Sequence, residues 1–580
     1  MAPASVPELP DTTTTYDPDS GAVATVTSNG QTITHTYDTL GREISYNDGA
    51  GNTTSTTYDA LGRAVKTTDS APSTTTYTYD TTKDPRGVET SRTDSVAGTF
   101  TATYDADGNL ATQFLPGGYT LTVAQDETGA ETSRVYTQDS DGTIVASDSV
   151  DQSVQGQTVA DTGTAGQTRT RAYGYDAAGR LTRADDTDPD GACTRRDYTF
   201  DKNTNRTALA TSTSDIGEDC TSTGATTTSY SYDSADRLVT TGTVYDAFGR
   251  TTTQASGATI GYYTNDLVRQ QTSGTSRQTW TLDAADRLAA WTIETNNGGT
   301  WTQTGSKTNH YGSDGDSPDW TQESSSAITR NVQGIGGDLD AITSATGDTV
   351  LQLTDVHGDV TVQLPLDTTK SPTASAYDEY GNPAGEATAA RYGWLGGKQR
   401  SSETVTGATL MGVRLYDPTT GRFLSVDPVA GGNANAYEYC NGDPLNRYDL
   451  DGKSNWFKRQ WKRFNNKRHR VGRNPNWRSI YYSGRFAIGA GLLVAPFGRV
   501  KTVRNMWRAA RNPRGTLKRC GKRGSNVIYC LGAIYGVDAV VKDFKDWNKN
   551  RRFRNEWNDS LTHDGRRSVC RKYTGKSSCW

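Results

Sequence analysis

Long apolar runs are missing from this 580-residue sequence, in which hydrophobic residues make up only 33%. No stretch of about 18 consecutive apolar residues occurs, which argues against a stable transmembrane span. Residues 1–31 show no basic start and no apolar stretch, so no signal peptide is visible. The 18 prolines against 60 glycines exclude a collagen-like repeat. Aromatic residues reach 9%, more than a disordered chain usually has, so the polarity indicates a polar fold.

Cysteine is scarce, with 7 residues in the whole chain and no C-x-x-C spacing among them. The spacing predicts no structural metal, and no cofactor motif is present, since both the Gly-x-Ser-x-Gly elbow and the phosphate-binding glycine loop are missing. Cys193 and Cys220 either pair across a hairpin or stay as thiols. Four further cysteines near the C-terminus allow two disulfides with three connectivities, or free thiols; these are Cys520, Cys530, Cys570 and Cys579.

The net charge of -5 hides two regions of opposite charge. Residues 453–580 contain 32 lysines and arginines but only 6 acidic residues, a net charge of +26. Residues 1–452 therefore carry a net charge of -31 and most of the threonine, a β-branched residue that favours strands. Such a change at one point indicates a domain boundary between a β-rich body and a different C-terminal domain.

One motif recurs along the body: tyrosine and aspartate, two variable residues, glycine, then arginine or asparagine. The first copies lie 21 residues apart, a period typical of stacked supersecondary units. The clearest copies, the last with one residue inserted, contain Tyr37, Asp38 and Gly41; Tyr58, Asp59 and Gly62; Tyr104, Asp105 and Gly108; Tyr175, Asp176 and Gly179; Tyr245, Asp246 and Gly249; Tyr377, Asp378 and Gly381; and Tyr416, Asp417 and Gly421.

The motif has a physical explanation as the turn of a β-hairpin. Aspartate at the first turn position and glycine at the fourth favour a type I turn, and the aspartate side chain can accept hydrogen bonds from nearby backbone N–H groups. Glycine supplies the left-handed conformation that lets a hairpin close with a bulge. One hairpin is marginal alone, so neighbouring hairpins are expected to pair into a wide sheet. A wide twisted sheet must curl and enclose a space.

These repeats resemble the YD repeats of Rhs proteins, teneurins and the C components of bacterial Tc toxins. The resemblance implies a mainly β fold, a curled sheet of YD-repeat β-hairpins forming a hollow or partial β-shell, over residues 30–390. Residues 1–29 are interpreted as an N-terminal extension of a chain that is truncated relative to the family, because no plug or delivery domain is visible. A small α-rich C-terminal domain is predicted to follow the body at residues 453–580.

Residues 391–452 are similar to the Rhs repeat-associated core, which in the family ends in two Asp-Pro-x-Gly elements separated by 18 residues. Their aspartates are implicated in cutting the chain just after the second element. The resemblance assigns this aspartyl-type autoproteolysis to Asp427 and Asp449, with cleavage between Lys453 and Ser454 or at a neighbouring bond. The alternative is that both aspartates are simple turn residues, because the elements depart from the family pattern at Ala430, Leu450 and Lys453.

The basic tail combines many cations with interspersed tryptophans, which suits phosphate contacts and base stacking. A nuclease also needs acid–base or metal-binding groups, and few are present; the candidates are His469, Asp559, His563 and Asp564. A basic helix with the aromatic stripe Phe457, Trp461 and Phe464, together with the apolar stretches 486–497 and 524–537, leaves a membrane-disrupting effector open. The third option is that these segments pack within the tail's own core.

The resemblance implies a polymorphic toxin used in interbacterial competition, in which the shell holds its own C-terminal tail as cargo. The implied partners are an immunity protein and a nucleic-acid target. The protein is expected to be secreted or on the cell surface, by a route that the sequence does not identify. Two alternatives stay open: a non-enzymatic surface or carbohydrate-binding YD-repeat protein, and a truncated remnant.

Overall fold

The computed structural model describes residues 9–165, 168–384 and 390–453, and its secondary structure there is almost entirely β. Nineteen strands form the first sheet: β1 (Thr13–Tyr16), β2 (Val23–Ser28), β3 (Gln31–Tyr37), β4 (Glu43–Asn47), β5 (Thr53–Tyr58), β6 (Ala64–Asp69), β7 (Ser73–Thr78), β8 (Ser91–Asp94), β9 (Gly98–Tyr104), β10 (Leu110–Leu115), β11 (Tyr119–Gln125), β12 (Glu131–Gln138), β13 (Ile144–Gln152), β14 (Thr158–Thr164), β15 (Thr168–Tyr175), β16 (Leu181–Thr187), β17 (Cys193–Phe200), β18 (Arg206–Ser214) and β19 (Thr226–Ser229).

A second sheet of 13 strands and a small three-stranded sheet follow. The second sheet contains β20 (Val244–Tyr245), β21 (Thr251–Thr253), β22 (Thr259–Tyr262), β23 (Val268–Ser273), β24 (Ser276–Leu282), β25 (Leu288–Asn297), β26 (Thr300–His310), β27 (Trp320–Gln322), β28 (Ile328–Gln333), β29 (Leu339–Ser344), β30 (Thr349–Thr354), β31 (Val360–Pro365) and β32 (Thr373–Ala374). The small sheet contains β33 (Thr409–Met411), β34 (Arg414–Asp417) and β35 (Arg422–Phe423), and two short 3-10 helices span Gly396–Lys398 and Cys440–Gly442.

Every strand pairs antiparallel with the strand before or after it in the chain. Within the described ranges, β1 pairs with β2 and β19 with β18, each on one side, so the first sheet is open. The predicted mainly β, hairpin-built sheet is confirmed, in its partial rather than closed form. Among the described residues, no helix is both long and apolar enough to cross a membrane.

The repeat motif closes its hairpins as the residue types predict. In the first copy, the Asp38 Oδ1 accepts hydrogen bonds from the backbone N–H groups of Leu40, at 2.9 Å, and Arg42, at 3.0 Å. Its Oδ2 accepts a third from the Arg42 Nε at 2.7 Å, and Gly41 has a φ of 72°. The same contacts recur at the turns that begin with Asp59, Asp176 and Asp246.

The tyrosine and arginine of the motif connect one repeat to the next. The Tyr58 hydroxyl donates to the backbone oxygen of Glu43 in the preceding hairpin, at 2.6 Å. The Arg42 guanidinium lies 4.7 Å from the ring centroid of Tyr58, close enough for a cation–π contact. Tyr37 and Tyr175 make equivalent hydroxyl contacts to earlier strands. Each turn is therefore stabilised by its neighbour, which explains why the motif repeats.

The inner faces of the two large sheets pack against each other in the middle of the array. Phe100 and Leu121 of the first sheet join Leu351 and Leu353 of the second in one buried apolar cluster. Buried ion pairs also cross between the sheets, including Arg134 with Asp338 at 2.8 Å and Arg330 with Asp94 at 3.2 Å. At these places the space between the sheets is filled by side chains.

The first two strands lie within residues 1–29, which the sequence assigned to an extension before the repeats. β1 pairs with β2, and β2 pairs with β3 in a continuous register. The segment Val23–Ser28 alternates apolar and polar residues from Ala24 to Thr27, as a half-buried strand does. The turn before it, from Tyr16 to Gly21, has one inserted residue and lacks the arginine or asparagine that follows the glycine in the clear copies of the motif.

Two glycine substitutions are expected to separate backbone strain from crowding. Gly41→Ala forces a side chain into φ 72°, where the nearest atom to its Cβ is 3.6 Å away, so we expect a loss of about 1–2 kcal/mol. Gly249→Ala adds crowding to the same strain, because its Cβ would lie 2.6 Å from the Tyr437 hydroxyl; we expect about 2–5 kcal/mol. Chemical denaturation measures both, and equal losses would contradict this account of the turns.

Cys193 and Cys220 form a disulfide, which confirms one of the two options that the sequence left open. Their Cα atoms are 5.4 Å apart and their sequence separation is 27 residues. Closing a loop of this size is expected to contribute about 3–4 kcal/mol. The double variant Cys193→Ser/Cys220→Ser should lose that amount by chemical denaturation, and a reducing agent should lower the stability of the parent protein but not of the variant. A parent protein indifferent to reduction would argue against a stabilising disulfide.

Candidate self-cleavage site

Arg414, the first residue of β34, lies between the two aspartates that the sequence singled out. Its Nη2 is 3.2 Å from the Asp427 Oδ2 and 2.8 Å from the Asp449 Oδ2. All three side chains are buried, with exposed fractions of 1% for Arg414, 4% for Asp427 and 0% for Asp449. Two carboxylates 22 residues apart in the sequence are thus held by one guanidinium in a site shielded from water.

Asp427 is held in place through both its backbone and its side chain. Its backbone N–H donates to the Ala436 carbonyl at 2.8 Å. Its Oδ1 accepts from the Val429 N–H at 2.8 Å, and its Oδ2 accepts from the Asn433 Nδ2 at 3.2 Å. The contact to Val429 is the local turn contact expected if Asp427 were a simple turn residue. The contact to Arg414 is additional and points the carboxylate toward Asp449.

The segment that follows Asp449 packs closely against the tip of the β33–β34 hairpin. The Val413 N–H donates to the Asp451 carbonyl at 3.2 Å. A Cβ at Gly452, where φ is 62°, would lie 2.4 Å from the Met411 carbonyl oxygen. A Cβ at Gly412 would meet the backbone of Asp451 at the same 2.4 Å. Only glycine fits at both positions, so two glycines fix the path of the chain up to Lys453.

An aromatic cluster forms one wall of the site. Trp394 stacks on Tyr416 with ring centroids 5.1 Å apart, and Tyr416 meets Tyr439 at 4.8 Å. The Arg414 guanidinium lies 3.5 Å from the ring centroid of Phe423, in cation–π contact. These rings exclude water from one side of Arg414, which strengthens its interactions with the two carboxylates.

The electrostatics of the site follow from this burial. Burial lowers the pKa of the Arg414 guanidinium, although the nearby charges of Asp449 and Asp427 act in the opposite direction. Arginine nevertheless stays charged in proteins. A guanidinium between two buried carboxylates offsets the cost of burying their charges, and a carboxylate is a group that can act as a general base toward water.

The residues that the sequence predicted for the site fall into four groups. Asp427 and Asp449 lie together at Arg414. Asp417 and Gly421 belong to a separate turn on the far side of β34, where the Asp417 carbonyl accepts from the Gly421 N–H at 2.9 Å. Lys453 is exposed, and its backbone N–H donates to the Asp451 Oδ1 at 3.1 Å. The remaining predicted residues lie outside the described part of the chain; they are Ser454, His469, Asp559, His563 and Asp564.

Sequence reasoning missed Arg414, although a signal for it exists. In the last repeat, arginine stands two places before the motif tyrosine. The same position holds His35, Thr56, Tyr173 and Thr243 in four of the other copies. Only in the last of these five copies is this residue an arginine, and that departure from the repeat pattern marks the site.

Comparison with known proteins identifies relatives of the body of the chain. Residues 12–183 match the family described as Teneurin YD-shell. The chain is 35% identical over 111 residues to the tRNA(Glu)-specific nuclease WapA of Bacillus subtilis subsp. natto, covering 17% of this chain and 5% of the relative. It is 28% identical over 263 residues to the tRNA3(Ser)-specific nuclease WapA of Bacillus spizizenii, covering 39% of this chain and 11% of the relative.

Solved structures show the same fold. The crystal structure of TcdB2-TccC3 matches with a TM-score of 0.62 at 16% identity, covering 76% of this chain and 26% of that one. A Tc holotoxin pore from Photorhabdus luminescens matches with a TM-score of 0.61 at 16% identity, covering 75% of this chain and 24% of that one. The chain thus spans about a quarter of the structures and at most 11% of the curated relatives described here. Residues 12–183 therefore resemble a teneurin YD-shell, and the described body shares the fold of these Tc toxin structures.

Proposed function

We propose that this chain is the carrier of a C-terminal toxin, and that its core cuts the chain at Lys453–Ser454 to free the basic C-terminal region. The observation that supports this most strongly is the Arg414 guanidinium holding both Asp427 and Asp449 in a buried site. The abrupt charge change at residue 453 adds support, because it directly follows the segment 391–452 that is similar to the Rhs repeat-associated core.

The proposed reaction is hydrolysis of one peptide bond. Asp449 takes a proton from a water molecule, and the water oxygen attacks the Lys453 carbonyl carbon. Arg414 keeps Asp449 ionised, and Asp427 on the other side of the guanidinium fixes its position. When the carbon–nitrogen bond breaks, the proton held by Asp449 passes to the nitrogen of Ser454. One water molecule is consumed, and the products are a new carboxylate at Lys453 and a new amine at Ser454.

The departures from the family pattern are compatible with this chemistry. Leu450, which replaces a proline, packs beside the aromatic cluster, and Asp449 stays fully buried next to it. Lys453 is exposed, so its longer side chain meets no steric obstacle. Ala430 lies in the loop after Asp427, whose contacts to Val429 and Ala436 are kept.

The freed region is proposed to act on nucleic acid. Its net charge of +26 and its tryptophans suit phosphate contact and stacking, and the WapA relatives bear the names of tRNA nucleases. Membrane disruption is the alternative, favoured by the apolar stretches 486–497 and 524–537. A nuclease of this kind requires an immunity protein in the producing cell, so such a partner belongs to the proposal.

Export to an oxidising compartment, for use against competing bacteria, completes the proposal. The disulfide between Cys193 and Cys220 supports it, because disulfides persist mainly in secreted and cell-surface proteins. A non-enzymatic surface protein would carry the same disulfide, but it would have no use for a buried carboxylate pair just before the charge change.

Expression of residues 454–580 in bacteria tests the toxin. We expect growth arrest with degraded RNA on gels and an unchanged membrane-potential dye signal, because the cationic region contacts phosphates rather than lipid. His563→Ala should restore growth, whereas the matched variant Asp538→Asn should stay toxic. Growth without defect would remove the toxin assignment, and loss of membrane potential before RNA damage would favour the membrane alternative.

A further inference from the structure

Arg400 lies in the core segment before β33 and reaches the chain next to Asp449. Its Nη1 donates a hydrogen bond of 2.7 Å to the backbone carbonyl of Leu450. Arg400 itself is buried, with an exposed fraction of 5%. A buried cation bound to a backbone carbonyl one residue after Asp449 is suited to fix the path of the chain at that point.

The guanidinium is itself held by the second large sheet. Its Nη1 and Nη2 contact the two carboxylate oxygens of Asp316 at 2.7 and 3.1 Å, and its Nη2 also donates to the Ser317 Oγ at 2.8 Å. Its Nε donates to the Lys398 carbonyl at 3.0 Å. Both terminal nitrogens and Nε are occupied, so the arginine has a single orientation. Asp316 and Ser317 lie in the connection between β26 and β27, which is far from residue 450 in sequence.

The Leu450 carbonyl and the glycine contacts act on consecutive parts of the same segment. Arg400 holds residue 450, the Val413 N–H holds the Asp451 carbonyl, and the close approach of Met411 fixes Gly452. The next residue is Lys453. The backbone is thus held at three successive positions between Asp449 and the bond proposed to be cut.

The sequence gives a reason for a contact at residue 450 in particular. The resembling family has proline there, and a proline fixes φ near −65° by its ring. Leu450 has no such ring, so its backbone torsion must be held by contacts. The hydrogen bond from Arg400 supplies one of them.

The charge of Lys453 also acts on the ion pair between Arg400 and Asp316. Burial would raise the pKa of Asp316, but the hydrogen bonds and charge of Arg400, together with the charge of Lys453, lower it below the ordinary value. The carboxylate of Asp316 is therefore ionised at neutral pH and attracts the exposed lysine that occupies the place of the family's leucine.

We propose that Arg400, oriented by Asp316, is a positioning residue that sets which peptide bond the core cuts. This inference rests on the proposed self-cleavage and adds to it the residues that set its register. Without the hydrogen bond from Arg400 to the Leu450 carbonyl, the segment after Asp449 is free to shift. A displacement of about 1 Å is enough to lower the cleavage rate by about 10²-fold.

The test is a time course of the purified full-length chain, in which intact-mass spectrometry measures both the cleavage rate and the position of the cut. Arg400→Gln is expected to slow cleavage by about 10²-fold and to yield some product cut at neighbouring bonds. The side chain of Asp316 is 42% exposed, so the fold should tolerate Asp316→Asn better than Arg400→Gln. This variant is expected to change the cleavage rate less but to shift the cleaved bond in the same way. A change in the cleaved bond is a readout that general destabilisation does not produce.

Arg391→Gln is the matched control, because Arg391 is a core arginine that pairs with Glu323 and Glu403 and makes no contact with residues 449–453 among its hydrogen bonds. It should leave the cleaved bond unchanged. If the parent chain cleaves and both Arg400→Gln and Asp316→Asn cut the same bond at the parental rate, the positioning role is wrong while the self-cleavage stands. If the parent chain is not cut at all, the proposed function itself fails. Should Arg400→Gln not fold, Asp316→Asn decides between these outcomes.

Discussion

The Asp449→Asn chain is expected to stay full-length under conditions in which the parent chain is cut. The amide has the shape of the carboxylate but cannot accept a proton from water, and losing such a base costs about 10²–10⁴-fold in rate. Asp449 is fully buried and its Oδ2 lies 2.8 Å from the Arg414 Nη2, so the substitution changes the chemistry at a fixed position. Denaturing gels and intact-mass spectrometry over a long incubation measure the rate.

Asp417→Asn serves as its control, because Asp417 is a turn aspartate at the end of the same strand as Arg414. Its Oδ1 accepts from the Thr419 N–H at 3.0 Å, and no hydrogen bond or ion pair between it and Arg414 is present in the described structure. Cleavage should continue in this variant. Unchanged cleavage in Asp449→Asn would show that Asp449 is a turn residue, which is the alternative that the sequence left open.

Arg414→Ala is expected to destabilise the core by about 3–5 kcal/mol at neutral pH, because it leaves two carboxylates buried without their cation. The matched variant Arg42→Ala removes a motif arginine whose side chain is 29% exposed, so its ion pair is expected to contribute about 1 kcal/mol or less. Chemical denaturation of both variants measures the difference. Similar losses in the two would contradict a special role for Arg414.

The loss in Arg414→Ala should depend on pH in a defined direction. Without the guanidinium, the folded variant buries two carboxyl groups with no cation beside them, and burial disfavours the charged form of a carboxyl group. The folded variant then binds more protons than its unfolded state, so its stability falls as pH rises through the range in which carboxyl groups ionise. The deficit relative to the parent protein should therefore be smaller at about pH 4 than at pH 8. A deficit that does not change with pH would argue against buried carboxylates as its cause.

The repeat turns could be predicted from sequence because all their determinants lie within six residues. Asp38, Gly41 and Arg42 contact one another locally, and the same geometry recurs wherever those residue types recur. A mainly β, hairpin-built sheet follows from that alone. The pairing of the hairpins in chain order follows too, because each tyrosine reaches only to the hairpin before it.

The contacts between the sheets could not be predicted in this way. Arg134 and Asp338 are 204 residues apart, and no repeat position distinguishes them from solvent-facing charges. The candidate site depends on the same kind of distant contact. The two aspartates were found through a family spacing, whereas Arg414 and the Arg400 contact to Asp316 depend on how residues distant in sequence meet, from the small sheet, the second large sheet and the segments between them.

The mass of the purified parent chain after incubation tests the central claim most directly. Cleavage by the core predicts two products, residues 1–453 and 454–580, formed at a rate that does not depend on protein concentration because the reaction is intramolecular. A single full-length mass that persists through a long incubation, or a rate that rises with protein concentration, would contradict it.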